Sequence, residues 1–182
     1  MQVTPELDAT FRTAALREGL VDVRFDIVET PVGELLIAAT DRGLARIHFE
    51  TEGQEEVLAR IFGRRVLRSP IDEVRRELDE YFEGRRHDFD LPLDLRVVPF
   101  NAEVLGELAR VPYGTTTTYG ALAAKVGRPR AARAIGTVMN RNPIPIVLPC
   151  HRVIGANGSL TGYGGGLDRK LQLLQLEGAI LG

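Results

Sequence analysis

The run Asn142-Pro143-Ile144-Pro145-Ile146-Val147-Leu148-Pro149-Cys150-His151-Arg152-Val153 carries the only cysteine of the chain and sets it between an apolar approach and two basic neighbours. Ile146-Val147-Leu148 reads as a short buried strand leading to Pro149-Cys150, with Pro143 and Pro145 stiffening the exit from the polar loop Asn140 to Asn142. A thiol with a pKa of about 8.5 is mostly protonated at neutral pH, and a nearby base or positive field raises the fraction of thiolate, the nucleophilic form. His151 can supply the base, directly or through a bridging water, because side chains adjacent in sequence need not face each other. A carboxylate would orient the imidazole, and Glu177, the one acid in the apolar end of the last helix, is the candidate. The alternative is inert: a lone cysteine after Ile-Val-Leu is commonly a core residue. The Cys-His pair would also suit a cysteine hydrolase.

Outward on the N-terminal side the pattern is helical. Val104, Leu105, Leu108 and Val111 form one stripe from Phe100, closed by Pro112-Tyr113-Gly114. Thr118 is placed to cap a helix from Tyr119 to Val126 that Gly127 ends, and Pro129 fits the first turn of a second helix from Arg130 to Met139. Helix, short turn and helix make a helix-turn-helix. The second helix alternates long cations with small side chains in Arg128-Pro129-Arg130-Ala131-Ala132-Arg133-Ala134. Small residues let a backbone approach a nucleic-acid groove, and a long Arg among them can enter a base stack; a solvated face built from good helix formers is the alternative.

On the C-terminal side, Gly158 and Gly162 lead into Tyr163-Gly164-Gly165-Gly166, a flexible loop with one aromatic that could close over a flat ligand. It lacks the spacing of a nucleotide-triphosphate loop, and a mobile turn is the plain alternative. Arg169 to Leu176 reads as an amphipathic helix with Leu171, Leu173, Leu174 and Leu176.

The first half is organised differently. Phe25 to Val28, Glu34 to Ala39 and Leu44 to Phe49 read as a three-stranded meander, its second connection made by Asp41-Arg42-Gly43. Glu52 to Phe62 and Asp72 to Phe82 have apolar residues at helical intervals and end at Gly63 and Gly84. Phe89 to Leu95 alternates apolar and acidic residues as an edge strand or connector, since Pro92 disfavours a central strand. Residues 1 to 20, with Leu7, Phe11, Ala15 and Leu16, suggest a short helical extension. His48 and His87 read as structural or solvated.

Charge divides at the same place. Residues 1–95 hold 13 Arg and no Lys against 21 acids, and residues 96–182 hold 10 Lys plus Arg against 4 acids, so a net of −8 is followed by +6. The whole-chain pI of about 6.0 conceals a basic half suited to phosphates. One cysteine excludes an intrachain disulfide framework, and with three histidines it leaves little for a structural zinc. No apolar run approaches the roughly 20 residues that span a bilayer, and the acidic start is unlike a secretory leader, which points to the cytoplasm.

Together, the helix-turn-helix, the segment from Asn142 to Val153, and Gly162-Tyr163 resemble the O6-alkylguanine-DNA alkyltransferase family over roughly residues 89 to 178. The resemblance implies an α+β protein with a small sheet-plus-helix, ribonuclease-H-like domain over residues 1–95 and a winged helix-turn-helix-like domain over residues 96–182. It implies DNA repair in one turnover: the alkyl group of O6-alkylguanine, with O4-alkylthymine a further candidate, passes to Cys150. His151, through a water, and Glu177 would draw off the thiol proton, and Asn142 would fix the turn bearing the cysteine. Arg133 would fill the space left by the flipped base, Tyr119 would crowd the 3′ phosphate and donate toward guanine N3, and Arg128, Asn101 and Ala132 would meet the DNA. The carbonyls of Cys150 and Val153 would accept from the guanine amine, with Tyr163 and Gly164 lining the loop over the base. The implied partner is double-stranded DNA carrying the lesion, bound by a monomer with cooperative binding left open, and no metal, cofactor or membrane is called for. Two departures stand out: Asn101 follows Phe100 where the family often has Gln, and Leu105 occupies a position where it often has Trp. A lesion sensor that binds without being alkylated and a multiple-turnover hydrolase are the competing readings.

Overall fold

A computed structural model describes residues 4–180. The first half is a four-stranded sheet in the order β3-β2-β1-β4. Its strands are β1 (Val23–Val28), β2 (Leu35–Thr40), β3 (Gly43–His48) and β4 (Val66–Arg68). The first three form the expected antiparallel meander, with a shift in register at Ala38/Ala39. The fourth was not anticipated, and it pairs parallel to β1.

Helix α1 (Pro5–Arg17) precedes the sheet, capped by Thr4. Of its spaced apolar residues only Ala15 is buried, while Leu7 and Phe11 are 55% and 66% exposed; the first three residues of the expected extension lie outside the described residues. Helix α2 (Gln54–Phe62) covers one face of the sheet through Leu58 against Val23, Phe25, Leu36 and Ala38. The opposite face carries Val28, Leu35, Ile37 and Ile47 and packs on α3 (Asp72–Phe82) and on the second half of the chain. With both faces covered, all six residues of β2 are buried, which is why it reads as a continuous apolar run.

The connector from Phe89 to Leu95 runs beside β3. Leu44 N–H donates to the Pro92 carbonyl (2.8 Å) and Asp94 N–H to the Leu44 carbonyl (2.9 Å). Gly43 permits this approach: its φ is +132°, and a Cβ there would lie 2.1 Å from the Pro92 oxygen. The buried Asp94 carboxylate accepts from Thr40 Oγ1 at 2.9 Å, fastening the connector to the sheet.

The second half contains α4 (Pro99–Ala109), β5 (Thr117–Thr118), α5 (Tyr119–Lys125), α6 (Ala132–Asn140), β6 (Val153–Ile154) and α7 (Leu167–Leu176). Thr118 Oγ1 accepts from Ala121 N at 3.1 Å and caps α5 as expected. The next helix begins at Ala132, later than expected, because Arg128 to Ala131 form a turn closed by an Ala131 N–H to Arg128 carbonyl bond (2.8 Å); Pro129 therefore lies in the turn of the helix-turn-helix. Strands β5 and β6 pair in parallel beside it.

The segment ahead of the cysteine is not a strand. Ile146 has φ +75°, in the left-handed region that a β-branched residue rarely occupies, and the chain folds into successive turns with Leu148 N–H on the Ile144 carbonyl (2.9 Å). Cys150–Arg152 is one turn of 3-10 helix. The edge strand β3 abuts this segment, Ile47 N–H donating to the Pro143 carbonyl at 2.9 Å. Residues of both halves form one continuous core that includes Cys150. Among the described residues no helix is long and apolar enough to cross a membrane.

Candidate active site

Asn142 organises the cysteine turn. Its Nδ2 donates to the Leu148 carbonyl (2.7 Å) and to Cys150 Sγ (3.1 Å), and its Oδ1 accepts from Ile144 N–H (3.1 Å). Those bonds hold the Ile146 turn in its unfavourable backbone geometry and aim the thiol. Cys150 is 3% exposed, and burial pushes its pKa up to about 11 against the smaller pull of Asn142 and Lys170. The resting group is therefore a thiol. Proximity to His151 and Arg152 does not make it a standing thiolate, because in a dry site the cost of the naked charge is larger.

His151 is fully buried and does not sit on the thiol through a direct hydrogen bond. Its Nε2 is 2.8 Å from Glu177 Oε1. Burial lowers the imidazole pKa, with Glu177 pulling the other way, so the resting ring is neutral at pH 7. Glu177 carries the charge: burial would raise its pKa, but hydrogen bonds from His151 and Arg152 hold it at about 2. An ionised carboxylate only accepts, so Nε2 bears the proton and Nδ1 is the free base. Nδ1 is buried and has no protein hydrogen-bond partner among the described residues. A buried lone pair on a neutral imidazole, backed by a carboxylate, can take up one proton and stabilise the resulting cation.

Beside Cys150 lies a cavity of about 360 Å3, within the roughly 300–1,000 Å3 usual for small-molecule pockets. Cys150, Asn142, Tyr163 and Gly164 line it, as do Phe49 and Arg169. Phe49, just past the end of β3, meets Tyr163 edge to face with centroids 5.7 Å apart. Arg169 lies over the Phe49 ring (5.1 Å) and donates to the carbonyls of Val32 (2.8 Å) and Gly165 (3.0 Å). Tyr163 is 9% exposed and its hydroxyl has no hydrogen-bond partner among the described residues. Gly165 must be glycine, since a Cβ would lie 2.6 Å from the Phe49 ring.

The remaining residues singled out from sequence sit outside this cavity wall. Arg133, the second residue of α6, and Arg128, stacked over Phe100 at 4.8 Å, are exposed, whereas Ala132 and Asn101 are half-buried. Tyr119 opens α5, and its hydroxyl donates to the Thr161 carbonyl (2.9 Å). The Cys150 carbonyl already accepts from Val153 N–H, and the Val153 carbonyl from Lys170 Nζ at 2.6 Å. Each retains one lone pair for a further donor.

Two family models match the chain: "6-O-methylguanine DNA methyltransferase, DNA binding domain" over residues 99–179, and "6-O-methylguanine DNA methyltransferase, ribonuclease-like domain" over residues 23–95. The methylated-DNA–protein-cysteine methyltransferase of Methanosarcina barkeri is 41% identical over 162 residues, spanning 84% of this chain and 96% of its own. The chain belongs to the methylated-DNA–protein-cysteine methyltransferase family. The constitutive member of Bacillus subtilis is 39% identical over 155 residues, covering 84% of this chain and 94% of its own. The crystal structure of Mycobacterium tuberculosis OGT in complex with DNA superposes with a TM-score of 0.77 at 37% identity, covering 86% of this chain and 93% of that one. The O6-methylguanine-DNA methyltransferase of Pyrococcus kodakaraensis strain KOD1 gives 0.64 at 27% identity, covering 86% and 99%.

In this methyltransferase family member the structure adds two residues that sequence reasoning missed, Lys170 and Tyr81, and commits Arg152, read from sequence only as a cation beside the thiol, to Glu177. Arg152 grips Glu177 with two bonds of 2.9 Å and donates to the Val111 carbonyl at 2.6 Å. Lys170, fully buried in the leucine-rich last helix, ties the Val153 carbonyl to that of Thr161 (2.8 Å), and burial lowers its pKa to about 8. Tyr81, from α3, donates to Glu177 Oε1 at 2.7 Å. A lysine directly ahead of the four leucines of the apolar stripe was a signal available in the sequence; nothing marked Tyr81 as other than core.

Proposed function

We propose that the protein repairs O6-alkylguanine in double-stranded DNA by moving the alkyl group onto Cys150, once per molecule. The observation that carries this reading is the buried Cys150 thiol at the wall of a base-sized cavity, with a neutral His151 behind it whose free nitrogen is backed by ionised Glu177.

The alkyl group on O6 lies inside a duplex, so the nucleotide must rotate out of the stack, at a cost of a few kcal/mol that is smaller for a poorly paired lesion. Exposed Arg133 at the start of α6 would occupy the gap, with Arg128, Asn101 and Ala132 along the phosphate path. Tyr119 would press on the 3′ phosphate, and for its hydroxyl to donate to guanine N3 it must leave the Thr161 carbonyl. Tyr163 and Gly164 would cover the base, and the spare lone pairs of the Cys150 and Val153 carbonyls would receive its amine. As the thiol proton passes through a water to His151 Nδ1, sulfur bonds to the alkyl carbon, the carbon–O6 bond breaks, and the electron pair returns to guanine, which takes up a proton. That proton comes from the Tyr119 hydroxyl at N3 and is replaced through solvent from the His151 imidazolium, so the net change is thiol plus alkylated guanine to thioether plus guanine. The thioether has no good leaving group, so the protein is spent. Every residue of the relay comes from one chain, which supports a monomer as the acting species.

A fixed amount of protein titrated with increasing duplex carrying O6-methylguanine tests this. Repair that stops at one lesion per protein is the expected result. Continued repair would mean a turnover enzyme, and tight binding with no repair would mean a sensor.

A further inference from the structure

We propose that Tyr81, from the N-terminal half, is a positioning residue for the transfer: its hydroxyl holds and partly neutralises the Glu177 oxygen on which His151 leans. The proposal rests on the relay described above and gives the sheet-bearing half of the chain a part in its chemistry.

Tyr81 is fully buried on α3, 96 residues from Glu177 in sequence, and its hydroxyl donates at 2.7 Å to Glu177 Oε1. That oxygen also receives His151 Nε2–H (2.8 Å) and an Arg152 N–H (2.9 Å). The ring is held independently of the hydroxyl, by Phe82, Phe89 and Tyr113 at centroid distances of 5.2, 5.4 and 6.1 Å. The charged and titratable groups around the pair are His151 and Arg152 from the 3-10 turn, Tyr113 from the loop after α4, and Cys150 and Lys170 beyond His151. Burial, reinforced by the Glu177 charge, moves the Tyr81 pKa far up, so it remains a donor throughout the working range.

A carboxylate oxygen shared among three donors is a weaker partner for each of them. Deleting the Tyr81 hydroxyl concentrates negative charge on the His151 side, and the imidazole then holds a proton to higher pH. The neutral ring that must accept the thiol proton is lost earlier as pH falls. Tyr81→Phe should move the acid limb of the single-turnover rate upward by about half a pH unit, about threefold in rate on the limb itself. A residue that merely filled the core would change stability and leave the limb in place.

The experiment measures single-turnover transfer from a methylated duplex, between about pH 5 and 9, for wild type, Tyr81→Phe and His151→Ala, and follows the His151 ring nitrogens by NMR. The proposal expects the kinetic limb and the His151 titration to move up together in Tyr81→Phe. A folded Tyr81→Phe protein with both unmoved overturns it. His151→Ala reacting at the wild-type rate would overturn the relay itself, a separate outcome. Wild type gives a check that needs no variant: the slowly exchanging Tyr81 hydroxyl proton must shift as His151 titrates, and a resonance indifferent to pH refutes the coupling.

Discussion

Replacing Glu177 by Gln keeps the shape of the side chain and removes its charge. Arg152, 4% exposed, would then be a buried cation with no counter-charge, left with the Val111 carbonyl, the Tyr113 ring and one neutral amide oxygen. Breaking a buried ion pair on one side costs about 3–5 kcal/mol. The protonation equilibrium gives a similar figure: a carboxyl held at about 2 instead of 4.5 is worth about 3 kcal/mol at 1.36 kcal/mol per unit. Because the folded pKa is depressed, this stability is fully present above pH 4.5 and drains away as pH falls through 2. Urea unfolding of both proteins should give a gap of about 3–5 kcal/mol at neutral pH that narrows by about 2 kcal/mol at pH 3, the variant lacking that titration. A neutral-pH gap below about 1 kcal/mol, or one that does not change with pH, would refute the assignment of Glu177 as the ionised anchor of the site.

Asn142→Ala removes three hydrogen bonds and leaves the buried Ile144 N–H without its partner; a loss of about 2–4 kcal/mol in chemical denaturation is expected, with slower reaction of the thiol. Arg133→Ala should change stability by less than about 0.5 kcal/mol, because the side chain is exposed, while slowing transfer from duplex DNA and sparing reaction with free O6-alkylguanine base; equal losses on both substrates would remove it from base flipping. Gly165→Ala forces the Phe49 ring aside and should slow transfer with both substrates, because it deforms the cavity wall and not the DNA-binding face.

Much of the fold was legible because its elements carry strong local signals. The Thr118 cap, the stripe of Val104, Leu105 and Leu108, and the apolar run of β2 each specify one structure. Strand β4 was not, being three residues with none fully buried, and its pairing with β1 is led in by Arg65, whose backbone carbonyl and side chain bind Asp22 from a distance of 43 residues. The Ile146 turn was misread because Ile-Val-Leu favours strand; it is the Asn142 side chain that overrides the preference, a tertiary effect. In the site, Cys150 and His151 announced themselves by type and adjacency, and Glu177 by being an acid where an apolar residue was due. The thiol's protonation state followed from burial, which adjacency does not encode. Tyr81 and Arg152 act through contacts spanning 96 and 25 residues, beyond what spacing can reveal.

The most direct test is intact mass of wild type and Cys150→Ser after exposure to duplex bearing a single O6-methylguanine, followed by peptide mapping. Gain of one methyl group, confined to the peptide containing Cys150 and absent from the serine variant, is the predicted result. Lesion loss with unchanged protein mass, or a methyl group on any other residue, would contradict the account.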